Sequence, residues 1–189
     1  MNVYDECPVL ENDKFKIRLM EEADADDLFK VYSDKQALPY FNSDNCNGTN
    51  FYCEKIEYVK ESIKYWLLEY YENRGFVRFS IVDKQKHQVI GSVEMFRRES
   101  KDSYNQCGLL RVDVRSDYEK TESLYEIFSI IVEPFYGLFK CSCIATKGAL
   151  YAVERIEALK KMNFVKTQEP IKGQKPDEIY RDYWIRRIF

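Results

Sequence analysis

Histidine is almost missing from this 189-residue chain: His87, in the polar stretch KQKHQ, is its one imidazole. No histidine is therefore placed to activate a cysteine nucleophile. The six cysteines, Cys7, Cys46, Cys53, Cys107, Cys141 and Cys143, include no CxxC pair, and the nearest two are Cys141 and Cys143. A structural metal needs clustered ligands, so no metal is expected and the cysteines read as free thiols in a reducing cytosol. Long apolar runs are missing too. The longest, IFSIIVEPFYGLF, is broken by Glu133 and Pro134, so no membrane span is expected. The opening MNVYDECPVLENDKF is acidic and polar, unlike a secretory leader, and a cytoplasmic location follows as the expectation. Nor is there an excess of positive charge. A formal net charge of −3 disfavours a nucleic-acid partner, while a mildly acidic surface tolerates a cationic amine.

What is present is core material. Hydrophobic residues make up 45% and aromatics 15%, spread along the whole length, which suits one domain spanning residues 1–189. No internal repeat and no low-complexity segment interrupts it.

The order of elements is informative. KFKIRLM (14–20) alternates Phe15, Ile17 and Leu19 with charged residues, as a strand does. Asp24 can cap the helix that follows, with Leu28 and Val31 at helical spacing. ALPYFNSDNCNGTNF is rich in turn formers and reads as a loop. Residues 54–73 form an amphipathic helix through Ile56, Val59, Ile63, Trp66, Leu67 and Tyr70, stopped by Arg74-Gly75. Strands follow at 76–83, 89–96 and 107–115; in the last, Leu110, Val112 and Val114 oppose Arg111, Asp113 and Arg115. Residues 119–139 read as a helix that Pro134 should kink or split. A short strand at 141–146, a helix at 150–162, a short strand at 164–167 and a terminal strand at 178–188 complete the chain. The three consecutive strands should pair antiparallel. The β-α-β unit at 107–146 should be a right-handed parallel crossover. The expected fold class is α/β or α+β: a mixed, mostly antiparallel sheet of six to seven strands with helices on both faces.

Three segments carry a resemblance. FKIRLMEEADADDLFKVY, QVIGSVEMFR and RIEALKKMNFVKT resemble the opening, the middle strands and the closing segment of the GNAT-type acyl-CoA N-acyltransferases. The likeness is to the branch acting on ribosomal-protein N-termini and related amines, and it spans nearly the whole chain. It implies acetyl transfer from acetyl-CoA to a primary amine, either a peptide N-terminus or a small cationic amine. By that likeness Val112, Asp113 and Val114 would line the pantetheine, and Glu119, Lys120, Thr121, Glu122, Ser123 and Leu124 would form the diphosphate loop. Arg155 could contact a phosphate.

The loop departs from the family's Gln/Arg-x-x-Gly-x-Gly/Ala pattern. Neither glycine is present, and Glu119 and Glu122 put carboxylates where an anion would sit. Ser116 and Glu119 also match a capping box, which gives those carboxylates a purely structural reason. Glu94, within the third strand, and Asp113 are the candidate base or amine anchor; paired structural charge is the other reading of both. The alternative to an enzyme is a protein of this fold that has lost turnover and serves as a binding or regulatory module. The aromatic terminus IYRDYWIRRIF can cover its own sheet edge or pair with a second copy as a homodimer.

Overall fold

In the computed structural model of the chain, residues 2–46, 48–173, 175 and 177–188 are described. Strands β1 (Leu10–Glu11) and β2 (Phe15–Leu19) form a hairpin closed by the Asn12 carboxamide, which accepts from the N–H groups of Lys14 and Phe15 at 2.9 and 2.8 Å. Helix α1 (Ala25–Tyr32) is preceded by a 3-10 turn, Glu22–Asp24. Asp24 stands at the N-cap position of α1, as expected, but makes no side-chain cap bond there; the capping box belongs to the preceding turn. Glu21 is the capping residue, and its N–H donates to the Asp24 carboxylate at 2.9 Å. Asp24 is buried instead against β2 and the neighbouring strand, where Arg18 and Ser80 both donate to it at 2.6 Å.

Helix α2 (Ile56–Leu68) buries Val59, Ile63 and Trp66, as its periodicity requires. It runs on through a π-helical turn, Glu69–Asn73, and stops at Arg74 in the left-handed conformation, φ 51°. Strands β3 (Val77–Asp83), β4 (Gln88–Arg97) and β5 (Gly108–Val114) pair antiparallel in succession. His87 occupies the β3–β4 turn, exposed, at φ 52°.

After a 3-10 turn at Ser116–Tyr118 comes helix α3 (Thr121–Phe139). Pro134 does not split it. Ile131, Phe135 and Leu138 are buried on either side of the proline, and packing of this kind outweighs the one lost backbone bond. Strand β6 (Cys143–Lys147), helix α4 (Val153–Lys161), strands β7 (Val165–Lys166), β8 (Ile171–Lys172), β9 (Ile179–Tyr180) and β10 (Tyr183–Arg187) follow.

The main sheet has eight strands in the order β1-β2-β3-β4-β5-β6-β10-β7, and β5–β6 is its parallel pair. It exceeds the expected count through the two-residue strand β1, too short for alternation to register. The terminal strand breaks at Asp182, φ 64°, so β9 leaves to pair with β8 in a separate two-stranded sheet.

The strands of β3–β5 sort their side chains by parity. Phe79, Ile81, Val93, Met95, Leu110 and Val112 face α3 and α4 in the larger core. The other face lies toward α1 and α2, whose own core gathers Leu28, Val31, Val59, Ile63 and Trp66. Between that second core and the sheet sits a layer of buried polar side chains: Arg78, Ser80, Ser92, Glu94 and Asp113.

Candidate functional site

Strands β5 and β6 pair only at their first residues. Gly108 faces Ile144, Leu109 faces Ala145 and Leu110 faces Thr146, and there the ladder ends. From Arg111 onward β5 runs beside no strand of the described residues on that side, while β6 stays paired to β10 along its whole length. A gap therefore opens between two parallel strands, with the amino end of α3 beyond it. Backbone groups exposed along such a gap and at a helix start are hydrogen-bonding positions for an extended, anionic ligand.

Protein side chains hold these positions. Arg155, from α4, is 3% exposed and lies against the gap. Its Nε and Nη2 donate to the two carboxylate oxygens of Glu119 at 2.7 and 2.6 Å, and its Nη1 donates to the Val112 carbonyl at 2.7 Å. The guanidinium thus ties the free edge of β5, the turn before α3 and helix α4 together. Glu119 is itself buried, so the pair is shielded from screening by water. The capping box expected of Ser116 and Glu119 is absent: Glu119 turns to Arg155 instead.

The helix start is occupied in the same way. Lys120 is the capping residue of α3 and makes no side-chain cap bond. The Thr121 N–H donates at 2.8 Å to the carboxylate of Glu154, from α4, and the Thr121 hydroxyl donates to the same carboxylate. Those bonds lower the Glu154 carboxyl from its ordinary value, the Thr121 hydroxyl most of all. An internal anion thus sits on the first free N–H of α3. Glu122 is exposed and adds a second negative charge in the first turn.

From the opposite face the gap is strapped by residues 42–44. Arg111 donates to the Asp44 carbonyl at 2.6 Å, Lys147 pairs with the Asp44 carboxylate at 2.6 Å, and the Tyr183 hydroxyl donates to it at 3.0 Å. One aspartate thereby joins β5, β6 and β10.

Under α2 the polar layer forms a charge network. Arg78, 2% exposed, pairs with Glu94 and reaches Tyr32 and Ser92 at 2.9 and 3.3 Å. Its guanidinium lies 4.1 Å from the Trp66 ring centre and 5.2 Å from that of Phe51. Arg111 binds the other oxygen of Glu94 at 2.7 Å. Burial alone would raise the Glu94 carboxyl, but Arg78 and Arg111 outweigh it and hold it below the ordinary range. Asp113 differs. Among the described residues neither of its oxygens has a hydrogen-bond partner, and Arg78 comes no nearer than 3.9 Å. Burial pushes its carboxyl up to about 6, against the pull of Arg78, Arg155 and Arg111. Beside this network lies a cavity of about 440 Å³, walled by Phe51, Trp66, Phe76 and Phe96 with Arg78, Glu94 and Arg111 at its polar side.

The residues singled out from the sequence therefore fall into three groups. Val112, Glu119, Thr121 and Arg155 do converge, bonding to one another or to Glu154. Lys120 and Glu122 face solvent, Ser123 is half-buried and Leu124 packs in the core. Glu94 belongs to the network under α2, and so does Asp113. Asp113 is not paired between Arg111 and Arg115: Arg111 serves Glu94, and Arg115 binds Asp117 at 2.6 Å. Arg78, Asp44 and Glu154 were not legible. Arg78 sits in an alternating strand like any outward charge, and its burial depends on α2 closing over it.

No protein-family model matches the chain, and no curated protein matches it in sequence. Solved structures do match its fold. One is the ribosomal-protein-S5-alanine acetyltransferase of Vibrio fischeri, at TM-score 0.67 and 16% identity over 94% of each chain. Another is the acetyltransferase of Salmonella typhimurium that modifies the N-terminal serine of ribosomal protein L7/L12. It matches at TM-score 0.67 and 10% identity over 96% of this chain and 100% of that one. A third is a GNAT-family acetyltransferase of Bacillus anthracis, at TM-score 0.66 and 11% identity over 96% and 98%. At these identities the likeness is one of fold: this chain has the GNAT acetyltransferase architecture.

Proposed function

We propose that this chain uses the acetyltransferase fold as a binding or regulatory module and does not turn over acetyl-CoA. The observation that carries the reading is the buried Arg155–Glu119 pair, bonded to the Val112 carbonyl on the free edge of β5. An acyl-carrier arm lying along β5 would need that carbonyl, and a diphosphate would need the N–H that Glu154 holds. With Glu122 nearby, a diphosphate would meet carboxylates where it needs donors. The cavity under α2 does not depend on the gap, and its aromatic walls and two guanidinium groups suit a ligand with a flat apolar body and polar ends.

The second reading is N-acetyl transfer from acetyl-CoA to a primary amine, a peptide N-terminus or a small cationic amine. What favours it is the parting of β5 and β6 after Leu110 and Thr146 in a chain with the GNAT architecture. In that reading the Arg155–Glu119 pair opens to admit the carrier, and Asp113 or Glu94 serves as base or amine anchor. Release of free thiol from acetyl-CoA separates the two. The chain is incubated with peptides beginning in serine or alanine and with polyamines. The proposal expects no release above the enzyme-free rate with any amine; amine-dependent release would establish the second reading.

A further inference from the structure

Cys107 and Cys143 stand side by side at the closed end of the β5–β6 pair. Gly108 faces Ile144 in the parallel register, so one residue back along each strand Cys107 faces Cys143. Neighbouring strands lie about 4.8 Å apart, and opposed residues of a parallel pair point to the same face. A disulfide requires Cα atoms roughly 4.4–6.8 Å apart with side chains on one side, and the strand register extended by one residue places this pair within both conditions. Both thiols enter the same small apolar cluster, with Leu109, Ala145 and Ile185. Cys141 lies in the other core, across the sheet. Both cysteines are buried, Cys107 fully and Cys143 at 2% exposed, while Ser142 beside Cys143 is exposed and Arg187 lies opposite Cys143 on β10.

From this geometry we propose that Cys107 and Cys143 form a reversible cross-strand disulfide when the protein meets hydrogen peroxide.

The thiol chemistry agrees with the geometry. The nearness of the two sulfurs lowers the Cys143 thiol to about 7 and raises that of Cys107, whose Sγ also lies 3.8 Å from the Gly108 carbonyl oxygen. Cys143 is then the attacking thiolate. Its sulfur takes one oxygen of the peroxide, the O–O bond breaks, and the other oxygen leaves as water once protonated, giving a sulfenic acid. Cys107 attacks that sulfur, loses its proton, and expels the second oxygen as water. Two S–H bonds and one O–O bond are exchanged for one S–S bond and two waters; the two electrons go to the peroxide. The bond fastens β5 to β6 below the point where they part.

The test uses the full chain, reduced, desalted and then treated with one equivalent of hydrogen peroxide. Unfolding in iodoacetamide marks every remaining thiol, and intact mass counts them. All six cysteines are free in the reduced protein. The expected result is loss of two, restored by a dithiol reductant. Trypsin leaves Cys141 and Cys143 on one peptide, so tandem fragmentation of the cross-linked peptide must assign the sulfur. The linkage should persist in Cys141→Ser and vanish in Cys107→Ser and Cys143→Ser. Six alkylated thiols after peroxide would overturn the proposal. So would a linkage that fragmentation places on Cys141, or thiol loss mapped to Cys46 and Cys53. Fragmentation of the unaltered chain decides the matter even where a variant fails to fold.

Discussion

Arg155 meets Glu119 through two parallel N–H···O bonds, 2.7 and 2.6 Å long, made by residues 36 positions apart in the chain. The third bond from the same guanidinium, to the Val112 carbonyl, fastens the pair to the free edge of β5. Burying two charges costs desolvation, which only good geometry and full hydrogen bonding offset. Leaving one of them alone is therefore the costly change.

Glu119→Ala should destabilise the fold by about 3–5 kcal/mol, because Arg155 remains buried without its partner. The double substitution Glu119→Leu with Arg155→Met should recover most of that loss. Urea unfolding of the single and double variants measures both. A cost under about 1 kcal/mol for Glu119→Ala would mean the pair is solvated and the gap open.

Asp113 makes stability depend on pH. In the unfolded chain its carboxyl titrates at the ordinary 3.8, and in the folded chain at about 6. Between these values the folded state binds more protons, so its stability falls as pH rises through the window and stays lower above it. Asp113→Asn should thus stabilise the protein by about 1–3 kcal/mol at pH 8 and change little at pH 4. Denaturant midpoints at the two pH values check this. Equal effects at both would show that folding does not raise the Asp113 carboxyl above its ordinary value.

How much of this was legible in the sequence depends on range. Periodicity located α2, the β3–β4–β5 meander and the crossover through α3, because alternation and helical spacing are local signals. Gly91 fits that pattern: the Ile90-Gly91 step lies where β4 presses on β5. The parity of β5 was also readable, with Val112 inward and Asp113 opposite. The partners were not readable. Glu119 carries a local capping signature, and Arg155 reads as one more helix arginine. Only the approach of α4 to the turn before α3 gives either its role. Asp24 likewise resembles a helix cap until Arg18 and Ser80 are seen beside it.

Gly91→Ala should cost about 1–3 kcal/mol. A Cβ there would run into the Asp113 carbonyl oxygen and lie 3.0 Å from the Val114 Cα, both backbone atoms with little room to move. Thermal unfolding checks it, and an unchanged midpoint would mean that β4 and β5 are spaced more widely.

Trp66→Ala should cost about 3–5 kcal/mol, the range for emptying a large buried aromatic site. It also strips the Arg78 guanidinium of the ring 4.1 Å away. Trp66→Phe keeps a ring over Arg78 and should lose clearly less. Chemical denaturation of both variants tests the ordering, and equal losses would remove the cation–π contact from the account.

Calorimetric titration of the unaltered chain with acetyl-CoA tests the sealed gap most directly. With Arg155, Glu119 and Glu154 in place, no saturable heat should appear up to millimolar ligand. A one-to-one isotherm at micromolar concentration would contradict the account.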